Sequence, residues 1–392
     1  MLFSFAMMIL VSVVFAMIMR KVGLPNLLGY LLTGIILGPF VFSVIDTTTF
    51  QISSDIRQIA LMIILMRAGL NLQISDLKKV GSSALLMCFV PASFEILGLM
   101  ILAPIFLHLD LLNAAILGTV LAAVSPAVVV PLMLRLMDEG YGTKEGIPQL
   151  IMTGASVDDV YVIVLFTSLL TLAKSGEFNA LSLLRIPTSI LFGIVSGIVL
   201  GYVLCKLYRL LKLPTGIELA SMFAIGMVLI TIERIMTGMI GFSGLLAIMA
   251  LTATIRHIKP EMADKYSAVL AKLWQPAEIF LFALVGASVR IDYALSFGPV
   301  VLVVIILALV FRMLGVYLSI MKTKFNMKER IFTMGAYLPK ATVQAAIGGL
   351  ALEAGLASGE LILTAAVTAI LFTAPLGAIF ISLTYRNFLQ KV

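Results

Sequence analysis

Apolar runs of about 17–30 residues, separated by short charged or Gly/Pro-containing breaks, recur along the whole 392-residue chain. Roughly 20 apolar residues is the length an α-helix needs to cross the hydrocarbon of a bilayer. Inside lipid each backbone N–H and C=O must be satisfied within its own segment, which leaves helices as the way to use such runs. Composition agrees, with 61% hydrophobic and 12% charged residues against about 25% charged in soluble domains. The pattern predicts an all-α polytopic membrane protein with thirteen spans, at 3–20, 25–43, 54–70, 77–107, 111–136, 147–173, 184–212, 217–236, 241–257, 264–289, 292–321, 326–353 and 359–385. The N-terminus lacks the basic region and small-residue cleavage site of a signal peptide, so the first run is expected to stay as an uncleaved helix.

Basic residues test the count. With thirteen spans, eighteen of the 27 Lys and Arg residues fall in loops on one side, and only Arg57, Lys174, Arg185, Arg234 and Arg290 on the other. Lys and Arg accumulate in cytoplasmic loops. The expected topology in the cell's inner (plasma) membrane is therefore N-terminus outside, C-terminus cytoplasmic. One span more or fewer scrambles the asymmetry. The net charge of +7 is spread between apolar spans, so it reads as a topology signal and no nucleic-acid partner is expected. Cys88 and Cys205 both lie within spans, and His108 and His257 at span edges. That excludes a disulfide framework or a Cys/His metal centre, and no cofactor is expected.

Spans two to six and nine to thirteen read as two copies. Gly38-Pro39 ends the second span, Ala68-Gly69 begins the close of the third, and Gly286-Ala287-Ser288 closes the tenth in a similar way. Ser125-Pro126 sits near the middle of span five and Pro339-Lys340 in span twelve. Copies offset by seven helices run in opposite directions through the membrane. Paired, proline-interrupted helices in matching positions of such inverted repeats mark the binding sites of transporters. Proline removes a backbone hydrogen bond and frees a carbonyl, and such a break survives in lipid only when buried in protein or lining a watery cavity. A plain kink is the bland reading of Pro126; Pro339 in the matching position favours a site.

Charges inside the spans carry the chemistry. An ionisable side chain at the bilayer centre costs roughly 2.5–3.5 kcal/mol on insertion scales, so such groups pair and serve ion pathways. Asp158 and Asp159 follow Thr153-Gly154-Ala155-Ser156-Val157 in the middle of span six. Neighbours on a helix point about 100° apart, so the two carboxylates take different tasks, one facing an aqueous funnel and the other a neighbouring helix. That geometry also argues against an aspartyl protease, whose two carboxylates share a proton at close range. Lys340 lies about a dozen residues from either end of its span, too far to snorkel to water, and is expected to pair with Asp158. Glu95 in span four and Arg312 in span eleven sit at mid-span in repeat-related helices, where a buried ion pair neutralises both. Such a pair is either structural or sets transport stoichiometry. Arg67 reads as a snorkelling residue, Lys272 and Glu278 as interface charges, and Trp274 as an interfacial anchor.

Together Thr153–Asp159, Ser125-Pro126, Leu338-Pro339-Lys340-Ala341-Thr342-Val343-Gln344 and Leu24–Tyr30 with Gly38-Pro39 resemble the monovalent cation:proton antiporters, closest to the sodium(lithium)/proton branch that includes animal exchangers. The likeness covers nearly the whole chain. It implies that Asp159 resembles the essential aspartate binding either Na⁺ or H⁺, that Asp158 pairs with Lys340, and that Glu95 and Arg312 form the second ion pair of this branch. It also implies a six-helix core with crossed broken helices moving against a dimerisation domain, and hence a homodimer. On that pattern residues 1–76 are scaffold, 77–175 core helices four to six, 176–291 a linker helix and scaffold helices eight to ten, and 292–392 core helices eleven to thirteen. Arg67 departs from relatives that often carry an acid there.

The expected function is elevator-type exchange of Na⁺ or Li⁺ for H⁺, both competing at Asp159. Na⁺ is a hard cation that takes oxygen ligands, by analogy with other hard cations. Asp159, Asp158, a Ser125 or Ser156 hydroxyl and freed carbonyls are the candidates, with Pro126, Pro339 and Thr342 shaping the breaks. A K⁺/H⁺ exchanger would use the same aspartates. A sodium-coupled organic-solute symporter needs a larger cavity lined by Asn, Gln and Thr, which these spans offer sparsely, and a channel needs a continuous polar stripe that is not found. The reading is of a transporter and not an enzyme, and its partners are monovalent cations, protons and the lipid bilayer.

Overall fold

The computed structural model describes residues 1–71, 82–175, 185–236 and 242–391, and every regular element among them is a helix. In chain order these are α1 (Leu2–Lys21), α2 (Asn26–Leu37), the short α3 (Thr47–Gln51), α4 (Ser53–Asn71), α5 (Ser82–Met87), α6 (Val90–Leu107), α7 (Leu111–Ala122), α8 (Pro126–Asp138) and α9 (Ile147–Ser175). There follow α10 (Arg185–Leu211), α11 (Thr215–Met236), α12 (Gly244–Ile258), α13 (Pro260–Ala287), α14 (Ile291–Ile320), α15 (Met327–Ala336), α16 (Thr342–Ile347), α17 (Leu350–Glu353) and α18 (Gly359–Phe388). Among the described residues nine helices are long and apolar enough to cross a membrane, and α2 and α12 are shorter apolar helices.

Within the described residues each expected span overlaps helix, and the differences have local causes. Span two stops at Leu37, before Gly38-Pro39, because proline cannot continue the hydrogen-bond ladder. Span four is interrupted at Cys88-Phe89, just ahead of Pro91 at the start of α6; its first residues, 77–81, lie outside the described residues. Span five divides at residues 123–125 into α7 and α8, and span twelve into α15, α16 and α17.

The chain divides into two units. The first comprises Met1–Ser54, Ser75–Ile163 and Ile279–Val392, the second Asp55–Ile74 and Val164–Glu278. In the first, α6 packs along both α14 and α7, while α18 touches α7, α8, α14, α15 and α16. One apolar cluster there joins Val124, Val129 and Met133 to Ile147 and Ile151 of α9, Phe332 and Tyr337 around the end of α15, and Ile381 and Tyr385 of α18. In the second unit α10 lies along α12. Gly193, Gly197 and Gly201, four residues apart on one face of α10, bring their backbone against the carbonyls of Ser243, Ala247 and Leu251, where a Cβ would collide. Small residues at that spacing let membrane helices approach closely.

Trp274, expected at an interface, is buried within the second unit. Arg67, expected to snorkel, is half-buried with its Nε enclosed and, among the described residues, without a hydrogen-bond partner, and it lies in the electrostatic field of Glu278.

Candidate ion-binding site

Two backbone breaks build the site. Pro126 occupies the first position of α8 and has no N–H to give α7, and the residue before a proline favours an extended conformation. Ala123 (φ −75°, ψ 142°) and Ser125 (φ −87°, ψ 110°) are accordingly extended. The second break runs from Tyr337 to Ala341, ahead of α16, and contains Pro339. The two breaks meet directly, Ser125 N–H donating to the Pro339 carbonyl at 2.8 Å.

Helix termini leave carbonyls without intrahelical partners, and here cationic and amide side chains fill that role. The Leu121 carbonyl at the end of α7 accepts from Lys340 Nζ and the Ala122 carbonyl from Arg312 Nη1. The Ala123 carbonyl accepts from Gln344 Nε2 at 2.9 Å. Across the other break, the Tyr337 carbonyl accepts from Arg312 Nε at 2.8 Å, and Lys340 N–H donates to Thr373 Oγ1 of α18 at 2.9 Å. These freed carbonyls, expected as cation ligands, are therefore occupied by the protein itself.

The same two cations hold two acids. Arg312 Nη1 lies 2.8 Å from Glu95 Oε2, and Nη2 lies 2.8 Å from Asp158 Oδ2. Lys340 Nζ is 2.7 Å from Glu95 Oε1. Asp158 Oδ2 also accepts from the Val124 N–H at 3.0 Å. All four side chains are fully buried. The Glu95–Arg312 pair is thus present, but Lys340 partners Glu95 and Asp158 partners Arg312, in place of the expected Asp158–Lys340 pair. The reason is the fork of the guanidinium, whose separate nitrogens serve two carboxylates at once, which leaves the single ammonium to Glu95, whose Oε2 accepts from both cations.

The network balances two positive against two negative charges, and Asp159 is left over. It is buried (6% exposed), and among the described residues its Oδ1 has no hydrogen-bond partner and no ion pair joins it. An unpaired ionised carboxylate out of water is too costly to persist, so it takes a proton or a cation. Asp158 Oδ1 and Ser125 Oγ are likewise buried without hydrogen-bond partners among the described residues, so three oxygens of the expected ligand set remain uncommitted there. Thr342 begins α16 and is buried. Ser156 lies in α9, and its side chain falls outside what is described. Among the described residues no three His, Cys, Asp or Glu side chains gather as a metal centre, and a weakly held, exchanging cation does not require one.

Sequence reading missed Gln344, Thr373 and the carbonyl of Tyr337. Gln344 stands within the quoted motif at the end of a broken helix, where a side-chain amide able to cap carbonyls is the available signal. Nothing in residue type marks Thr373.

The family model described as the transmembrane sodium/hydrogen exchanger matches residues 7–386. Sodium/hydrogen exchanger 9B2 of Homo sapiens is 34% identical over 384 residues, covering 94% of this chain and 70% of the relative. Sodium/hydrogen exchanger 9B1 of Homo sapiens is 35% identical over 383 residues, covering 94% and 73%. In fold the chain is similar to the sodium proton antiporter MjNhaP1 of Methanocaldococcus jannaschii, with a TM-score of 0.83 at 19% identity over 98% of this chain and 97% of that one. With two breaks that meet, a balanced four-charge network and one surplus buried aspartate already in place, the match over almost every residue shows that the chain belongs to the sodium/hydrogen exchanger family.

Proposed function

We propose that this chain is a secondary active antiporter that exchanges Na⁺ or Li⁺ for H⁺, the two competing at Asp159. The observation that carries the reading is the charge balance. Glu95, Asp158, Arg312 and Lys340 neutralise one another, so Asp159 alone decides the charge of the site. Protonated, the core is neutral; with Na⁺ bound it is neutral again; empty, it carries one uncompensated negative charge in a low dielectric. Moving that charge through the membrane is unfavourable. The loaded forms cross and the empty form does not, which makes exchange obligatory. Asp159, the Oδ1 of Asp158 and Ser125 Oγ supply oxygen ligands to the cation, and Ser156 of the same motif is proposed as a further ligand.

Alternating access on this reading is elevator-like, a core of 77–175 and 292–392 moving against a scaffold of 1–76 and 176–291 in a homodimer. The thirteen spans form inverted repeats, with the N-terminus outside and the C-terminus in the cytoplasm of the inner membrane. Membership of the sodium/hydrogen exchanger family and the antiporter-like fold support the reading.

The test is a pH dye trapped in or absorbed by proteoliposomes under an imposed proton gradient, challenged in turn with Na⁺, Li⁺ and K⁺. Na⁺ and Li⁺ are expected to collapse the gradient, and valinomycin with K⁺ reports whether the exchange moves net charge. A response to K⁺ alone replaces the cation assignment with K⁺/H⁺ exchange; no response to any cation overturns antiport.

A further inference from the structure

One buried polar group at this site has no part in the exchange as described so far: the hydroxyl of Tyr337. The side chain is fully buried, and its hydroxyl has no hydrogen-bond partner among the described residues. Leaving such a group unsatisfied costs about 1–3 kcal/mol, so its retention calls for a physical role. Its surroundings are specific. The Arg312 guanidinium lies over the ring, 5.4 Å from its centroid, and the backbone carbonyl of the same residue receives Arg312 Nε. The hydroxyl itself points at Gly154 of α9, where any Cβ would collide with it.

Gly154 is one helical turn before Asp158, on the same face of α9. Helical side chains lean toward the N-terminal end of their helix and cover the preceding turn. The Asp158 carboxylate therefore leans toward the turn against which the Tyr337 hydroxyl is lodged. Asp158 Oδ2 is saturated by Arg312 and Val124, while Oδ1 has no hydrogen-bond partner among the described residues. A donor without an acceptor and an acceptor without a donor thus share one turn of one helix.

We propose that Tyr337 is a positioning residue for exchange: its hydroxyl donates to Asp158 Oδ1 when the site holds no cation and gives that oxygen up when the cation binds. This deepens the antiport reading and rests on it. The hydrogen bond stabilises only the cation-free forms, so it sets the affinity for the cation without touching the charge balance. Besides Asp158, the charged or titratable groups around the hydroxyl are Asp159 on α9, Arg312 on α14 and Cys88 in the break between α5 and α6. Asp158 stays paired to Arg312 throughout and Asp159 remains the group that exchanges the proton.

Tyr337→Phe tests this cleanly, because it keeps the ring beneath Arg312 and the carbonyl that receives it, and removes only the hydroxyl. A lost hydrogen bond to a charged group is worth about tenfold in binding. The expected result is an apparent KM for Na⁺ about tenfold lower, with a slower maximal rate because release is slowed, and a pH profile at saturating Na⁺ of unchanged shape. Gly154→Ala, which pushes the hydroxyl off its seat, is expected to lower KM in the same direction. A KM within twofold of the wild type in Tyr337→Phe, or a raised one, overturns the proposal. A purely structural role would cut the maximal rate and thermal stability and leave KM alone, and that result also counts against it. Absence of any Na⁺ response in the wild-type protein would instead strike at the antiport reading, so the two failures are distinguishable.

Discussion

Replacing Arg312 by Met keeps most of the apolar stem and removes the charge that joins two acids. Breaking a buried ion pair by removing one partner costs about 3–5 kcal/mol. The loss is not shared evenly. Glu95 keeps Lys340 Nζ at 2.7 Å, whereas Asp158 keeps only the Val124 N–H at 3.0 Å. The stranded charge is therefore Asp158. Adding Asp158→Asn to Arg312→Met leaves Glu95 and Lys340 balanced and should restore about 1.5–3 kcal/mol, the worth of hydrogen bonds to a charged group. Adding Glu95→Gln instead strands Lys340 beside a charged Asp158 it does not touch, and should restore nothing or destabilise further. The assay is a double-mutant cycle on the unfolding midpoint of the purified protein in detergent, where residues in one network show non-additive losses. Equal rescue by the two second-site changes, or simple additivity in both, would refute this wiring of the network.

Lys340→Met should likewise destabilise by about 3–5 kcal/mol, and here Glu95→Gln should not rescue fully because Arg312 remains beside the neutralised residue; thermal melts of the four proteins check it. Ser125→Ala should raise the apparent KM for Na⁺ several-fold with little loss of stability, since the hydroxyl has no hydrogen-bond partner among the described residues; transport titrations read this directly. At the C-terminal end, Gly142 N–H donates to the Gln390 carbonyl at 2.8 Å, and Tyr385 donates to Glu139, itself paired with Arg135. The Arg135 and Tyr385 hydrogen bonds hold the Glu139 carboxyl below its ordinary value of 4.5. Its contribution is thus fully present above about pH 4.5 and fades as the pH falls further. Hydrogen exchange at the Gly142 amide should be insensitive to pH-induced opening between pH 5 and 8, after correction for intrinsic rates, and show opening only in more acidic solution.

Much of this protein was legible in the chain because lipid leaves so few options. Apolar run length locates helices, and Pro126 and Pro339 locate the breaks, since both effects are local. The membership of the charged network was legible too: Glu95, Asp158, Arg312 and Lys340 are the ions that burial forces to find partners. Their wiring was not. Which cation meets which acid depends on where α6, α9 and α14 pass the two breaks, and on a guanidinium reaching both Glu95 and Asp158. The carbonyls of Leu121, Ala122 and Ala123 illustrate the same limit. Their release follows from Pro126, but their capture by Lys340, Arg312 and Gln344 is a property of the assembled helices. Tyr337 carried no signal at all, because an aromatic beside a break reads as packing until its hydroxyl is found without a partner.

In the proposed exchange one carboxylate, that of Asp159, holds either a proton or an alkali cation. The most direct measurement is proton release on Na⁺ addition to purified protein in weakly buffered detergent solution, read with a pH indicator. Saturable release of protons by the wild type is expected, retained in Ser125→Ala at higher Na⁺ and lost in Asp159→Asn. Undiminished proton release from Asp159→Asn, or Na⁺ binding by the wild type with no proton released, would contradict it.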